Sequence, residues 1–301
     1  MAENMFGRPD DPITRDPILT PVPETPNLSI AYPVFKDWVG LYEFSYTRPG
    51  REAQLREREA QNRIRYDDMK RSHEHSVMNQ LTIIAKKKSA AAVLTEISLA
   101  VTSEVFIFPY DFQRSSHWSV NAGAITSAEN SRDSWTKGVP MAGRDSDGNP
   151  FVSISRKTGK PRVGTGFGSD SHIFYTPRRH RVPDDVLVHE LVHASRDVHG
   201  VGYQMPVTAG YGNLEEFLAE TIANMYRAEK GKSLLDYNDN PIKAGRFLDA
   251  SINPAPRLLI AYMKSKQPKL FKRLADLEIP FNPMKQVAAE EYAYLRKIEQ
   301  M

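Results

Sequence analysis

The sequence predicts an α+β fold, with a small twisted sheet, two helices crossing beneath it and a helical C-terminal half. Three observations lead there. Apolar residues recur at helical spacing from Val186 to Val192, and again through Leu214, Phe217, Leu218, Ile222 and Met225. Two short β-rich runs, Val105-Phe106-Ile107-Phe108 and Ser171-His172-Ile173-Phe174-Tyr175, stand apart from those helices. Beyond residue 255 helical patterns dominate.

Composition narrows the classes. A chain of 301 residues can bury a sizeable core, as one large domain or two modest ones. Its net charge of +3 is too small for a dedicated nucleic-acid binder, which gathers basic charge on one face. There is no cysteine, so a metal must be held by nitrogen and oxygen, and no disulfide framework is available. No apolar run approaches the ~18 residues of a membrane span. Residues 1–25 lack the apolar segment of a cleavable secretory signal.

Residues 1–33 carry Pro9, Pro12, Pro17, Pro21, Pro23, Pro26 and Pro33, with few core-forming side chains. Proline at this density blocks helix, so the stretch reads as a disordered or loosely docked leader. Residues 34–100 read as a mostly helical N-terminal region, and residues 101–301 as the domain that carries the motifs. Phe35, Trp38, Leu41, Tyr42 and Phe44 can dock on a core. Interleaved charges from Arg51 to Glu59 suit a long helix continuing past Met69, Val77 and Leu81, and Ala90 to Ala100 suits a second.

Residues 115–160 are rich in Ser, Gly, Asn and Asp and read as loops and hairpins, with Asp147-Gly148-Asn149 turning into a strand over Phe151 to Ser155. Gly164 to Asp170 lacks the Gly-Lys-Ser/Thr end of a phosphate loop and reads as a turn into the Ser171 strand. Pro183, Asp184 and Asp185 suit a helix start, with Gly200 near its end. Gly231 closes the helix that begins at Leu214. Pro256 to Ser265, Lys269 to Leu277 and Met284 to Ile298 complete the helical half.

The chemistry concentrates in His189-Glu190-Leu191-Val192-His193. Four residues apart on a helix, the two imidazoles share a face and can grip one metal ion, with Glu190 beside the first. A catalytic zinc site takes three protein ligands and leaves one position for water or substrate. Zinc makes that water acidic near neutral pH, and a glutamate can take its proton. For the third ligand, His199 has the spacing of three-histidine peptidases, but that pattern needs glycine where Arg196 stands. Glu216 and Glu220 share a helix face, so one can bind metal while the other supports a histidine. The bland alternative is an amphipathic helix whose histidines merely pack, which leaves the glutamate helix unexplained.

The run Tyr211-Gly212-Asn213-Leu214-Glu215-Glu216-Phe217-Leu218-Ala219-Glu220 resembles the ligand helix of the lethal factor-like zinc peptidases, where a glutamate directly before Phe-x-Ala-Glu binds zinc. Bacterial effector and toxin proteases of that group also place a Gly-Ser-Asp-Ser segment and a strand before the zinc helix, as Gly168-Ser169-Asp170-Ser171 stands here. The resemblance runs over about residues 164 to 265 and is specific in the two helices. It implies a zincin-like fold and one zinc ion per chain, held by His189, His193 and Glu216. It also implies Glu190 as general base and Glu220 as a supporting partner.

The same resemblance implies a tyrosine that donates to the oxyanion. Tyr211 is the nearest match, at a shorter spacing to Glu216 than in lethal factor, and Tyr203 is the second candidate. Ser171, His172 and Ile173 would form either the edge strand on which a peptide pairs through main-chain bonds or an ordinary core strand. The implied activity is endopeptidase hydrolysis of a protein or peptide substrate. The implied setting is a bacterial effector or toxin made in the cytoplasm and secreted into a target cell without a cleavable signal peptide. Contact with a secretion apparatus or chaperone would then fall to the N-terminal region. A non-proteolytic adaptor with a structural or vestigial zinc, and a zinc amidase acting on cell-wall peptides, remain alternatives built on the same residues.

Overall fold

A computed structural model describes residues 16–35, 52–110, 124–144, 150–203, 213–236, 240–249 and 255–290. In chain order the elements begin with β1 (Ile18–Pro21), β2 (Leu28–Tyr32), α1 (Glu52–Ala85) and α2 (Lys88–Ser98). There follow β3 (Val105–Phe108), β4 (Ala124–Ala128), the paired β5 (Ala142–Arg144) and β6 (Pro150–Val152), and β7 (Ser171–Tyr175). After α3 (Pro183–Val198) and α4 (Leu214–Glu229) come the short β8 (Leu234–Leu235) and β9 (Pro241–Ile242). Helices α5 (Ala244–Phe247), α6 (Ala255–Lys266) and α7 (Pro268–Ala275) precede a last helix through residues 283–290. The fold is α+β around a mixed five-stranded sheet in the order β1-β2-β3-β7-β4.

Two of those strands come from the stretch expected as a disordered leader, and this expectation is corrected. β1 and β2 pair antiparallel, and Leu28, Ile30, Ala31 and Tyr32 are buried. The prolines stand where a strand tolerates them. Pro21 lies in the edge strand β1, Pro17 just before it, and Pro23 and Pro26 in the connection to β2. Residues 1–15 and the aromatic run from Trp38 to Phe44 lie outside the described residues, as does the turn at Asp147-Gly148-Asn149.

The N-terminal helices share the core of the rest of the chain. Val77, Leu81 and Ile84 of α1 and Val93 and Ile97 of α2 join one buried core with Leu187, Leu191, Phe217, Leu259 and Leu270. The later turns of α1 carry its aliphatic core contacts; Ile64 is exposed while Ile84 is fully buried.

β7 lies inside the sheet. It pairs in parallel with β3 and antiparallel with β4, so its main-chain groups are used on both sides. The expected substrate edge at Ser171, His172 and Ile173 is therefore overturned. Ser171 and Ile173 are buried, and the His172 ring packs against Phe106 and Phe108. Among the described residues the edge on this side of the sheet belongs to β4, whose short, small-residue sequence Ala124-Ile125-Thr126-Ser127-Ala128 sits within the stretch that reads as loop.

Helices α3 and α4 pack antiparallel, since Asp185 near the start of α3 pairs with Arg227 late in α4, while Arg196 pairs with Glu215 at the opposite end. Each start is legible chemistry. Pro183 occupies the first turn of α3, where an amide donor is not needed, with Asp184 and Asp185 facing the positive end of the helix dipole. Asn213 caps α4, its side chain accepting from the Glu216 amide at 3.0 Å. At the far end of α3 the glycine run is a packing device. A Cβ on Gly168 would fall 2.2 Å from the Val198 carbonyl oxygen, and Gly168 holds a φ of +86° that side chains avoid.

Candidate metal centre

His189 and His193 point from α3 toward Glu216 on α4. Their donor atoms converge: His193 Nε2 lies 3.1 Å from His189 Nε2, Glu216 Oε2 3.2 Å from His189 Nε2, and Glu216 Oε1 3.6 Å from His193 Nε2. Two donors each about 2.0–2.1 Å from one tetrahedral zinc lie about 3.3 Å apart, so these separations fit a shared zinc ion. The donor set of two nitrogens and one carboxylate also suits zinc and leaves a coordination position open.

Electrostatics point the same way. Two ring nitrogens and a carboxylate aimed at one point repel unless a cation or protons lie among them. Burial alone would lower the pKa of His189, yet the Glu216 and Glu220 carboxylates push it up to about 10. His193 is likewise raised against its burial, by Glu216. Burial would raise Glu216, but the two imidazoles hold its carboxyl well below the usual range. The cluster is a concentrated seat for positive charge.

Around it stand residues the sequence nominated and residues it did not. Glu220 lies behind His189, with Oε2 3.5 Å from Nδ1. Glu190 is buried beside the ligands, and its Oε2 accepts a 2.7 Å hydrogen bond from the Thr126 hydroxyl on β4. His199 is turned elsewhere and donates to the Glu96 carbonyl at 2.9 Å, because α3 runs straight through Arg196 instead of bending there. The Tyr203 ring packs against Trp135 and Tyr262, and its amide donates to Glu215 Oε1 at 2.6 Å. Tyr211 lies outside the described residues.

Three contacts had no usable signal. Thr126 was hidden in a stretch that reads as loop. Arg196, fully buried, forms a two-pronged pair with Glu215, at 2.5 Å from Nε to Oε2 and 2.9 Å from Nη2 to Oε1. Ser171 donates to Asp197 at 2.9 Å, and burial pushes the Asp197 carboxyl up to about 7. Each joins residues distant in sequence, which local pattern does not report. Comparison with protein-family models, with curated proteins and with solved structures finds no match for this chain.

Proposed function

We propose that the chain is a zinc-dependent endopeptidase with a zincin-like arrangement of sheet and helices. One observation carries the reading: the donor atoms of His189, His193 and Glu216 converge at the spacing of tetrahedral ligands, with the Glu190 carboxylate buried next to them. Zinc held by these three residues would supply Lewis acidity, polarising a scissile carbonyl and making water acidic near neutral pH.

The chain's own groups do the rest. Glu190 takes a proton from the attacking water and returns it to the leaving amine. Glu220, behind His189, orients that ring and raises its basicity as a ligand. The outer edge of β4, unpaired among the described residues, offers main-chain donors and acceptors to an extended peptide, on the strand that touches Glu190. The resemblance assigns the oxyanion donor to Tyr211, with Tyr203 as the second candidate. The resemblance to effector and toxin proteases extends the proposal to a protein substrate in a target cell.

Glu190→Gln keeps the shape and removes the base. Measured with a mixture of internally quenched peptides, cleavage should fall about 10²- to 10⁴-fold while zinc content and thermal stability stay at parent values. A folded, zinc-loaded variant that cleaves at the parent rate would sink the mechanism.

A further inference from the structure

A general base must present one oxygen to the reacting water, and a glutamate on a helix has three side-chain torsions with which to miss. Here one oxygen is already taken. The Thr126 hydroxyl lies 2.7 Å from Glu190 Oε2 and 3.1 Å from the Glu190 carbonyl oxygen. The shorter contact is a charge-assisted hydrogen bond to a buried carboxylate, the stronger kind. Thr126 is well placed to hold it. It is the cross-strand partner of Ile173, so it faces the buried, helix-bearing side of the sheet, with Ala124 and Ala128 on the same side of β4. Its β-branched side chain is stiff about χ1, and its strand is anchored along β7.

We propose that Thr126 is a positioning residue for the general base, its hydroxyl binding one Glu190 oxygen so that the other is presented to the reacting water. The inference rests on the peptidase reading of the metal centre. It adds a physical link, because the strand offered to the peptide is also the strand that aims the base.

Thr126→Val keeps the shape and removes the donor, and Thr126→Ser keeps the donor. With the zinc-loaded protein and the quenched-peptide mixture, Thr126→Val should lower kcat about 10- to 100-fold with KM and zinc content unchanged, and Thr126→Ser should stay near the parent. Placed on top of Glu190→Gln, Thr126→Val should cost nothing further, since the two act as one unit. Crystal structures of the zinc-loaded parent and Thr126→Val should show the carboxylate held at Thr126 in the first and turned away in the second. Parent-like kcat in Thr126→Val, an equal loss in Thr126→Ser, an added loss in the Gln background, or an unmoved carboxylate each overturns the proposal. If the parent cleaves no peptide, the peptidase reading fails, while the two crystal structures still decide whether Thr126 sets the Glu190 carboxylate.

Discussion

The two ends of the α3–α4 pair are both tied by charge, but in different ways. At one end Arg196 is buried to 1% exposure and divides its donors among Glu215, the Val201 carbonyl and Gln267. Glu215 in turn accepts from the Tyr203 amide. At the other end Asp184 accepts from Tyr226 and Lys230, while Asp185 meets Arg227, Lys230 and Lys232. The first end is dry, with one cation paired to one carboxylate and the Asp197 carboxyl buried nearby. The second is wetter only in its lysines, several cations sharing two carboxylates as buried as Glu215. The candidate metal cluster lies between them, so two differently built charged ends frame His189, His193 and Glu216.

The dry end should give the largest effect. Arg196→Ala leaves Glu215 buried without its cation and should cost about 3–5 kcal/mol in urea unfolding. The paired change Arg196→Met with Glu215→Met should recover most of that, because the stranded charge is gone. If the paired variant is as weak as the single one, the bridge stabilises by more than mutual neutralisation and the contrast between the ends is misdrawn.

Metal removal should come next. With free zinc at 100 times its dissociation constant, binding contributes about 2.7 kcal/mol, so a chelator should lower Tm markedly. His193→Ala should abolish that dependence on zinc. A chelator shift that persists in His193→Ala would move the metal to other residues.

Acid should act on the wetter end, and gently. Burial would raise the Asp184 carboxyl, but hydrogen bonds from Lys230 and Tyr226 outweigh it and hold the pKa below its usual value. A carboxylate depressed in the folded state stabilises above its unfolded pKa of about 4, and that contribution is lost as pH falls through the folded value. Asp184→Asn should therefore cost at most about 1 kcal/mol at pH 6, and its difference from the parent should shrink below about pH 4. A constant gap from pH 6 to pH 3 would assign the loss to packing around Tyr226.

Much of the helical frame was legible because it is local. His189, Glu190 and His193 declare themselves by spacing. Pro183 marks a helix start that the structure keeps, and Gly231, at a φ of +67°, follows the end of α4. What escaped was pairing across distance. Glu215 and Glu216 are neighbours with the same chemistry in the first turn of α4, yet one goes to Arg196 and the other to the histidines. Only the relative rotation of two helices decides which. The sheet was harder still. Pattern names a strand but not its neighbours, so β7 reads as an edge although β4 takes that place. The prolines of β1 concealed a strand altogether.

The position of β2 has a kinetic consequence. Val105 pairs with Leu28 on one side and Ser171 on the other, so the middle of the sheet joins three remote parts of the chain. Loop closures of that length slow folding, and during synthesis the sheet must wait until β7 has emerged. Helices α1 and α2 are made well before it and stay without their shared core in the interval. The sheet on which α3 packs is thus assembled late, and His189 and His193 meet Glu216 only in a chain already near its final shape.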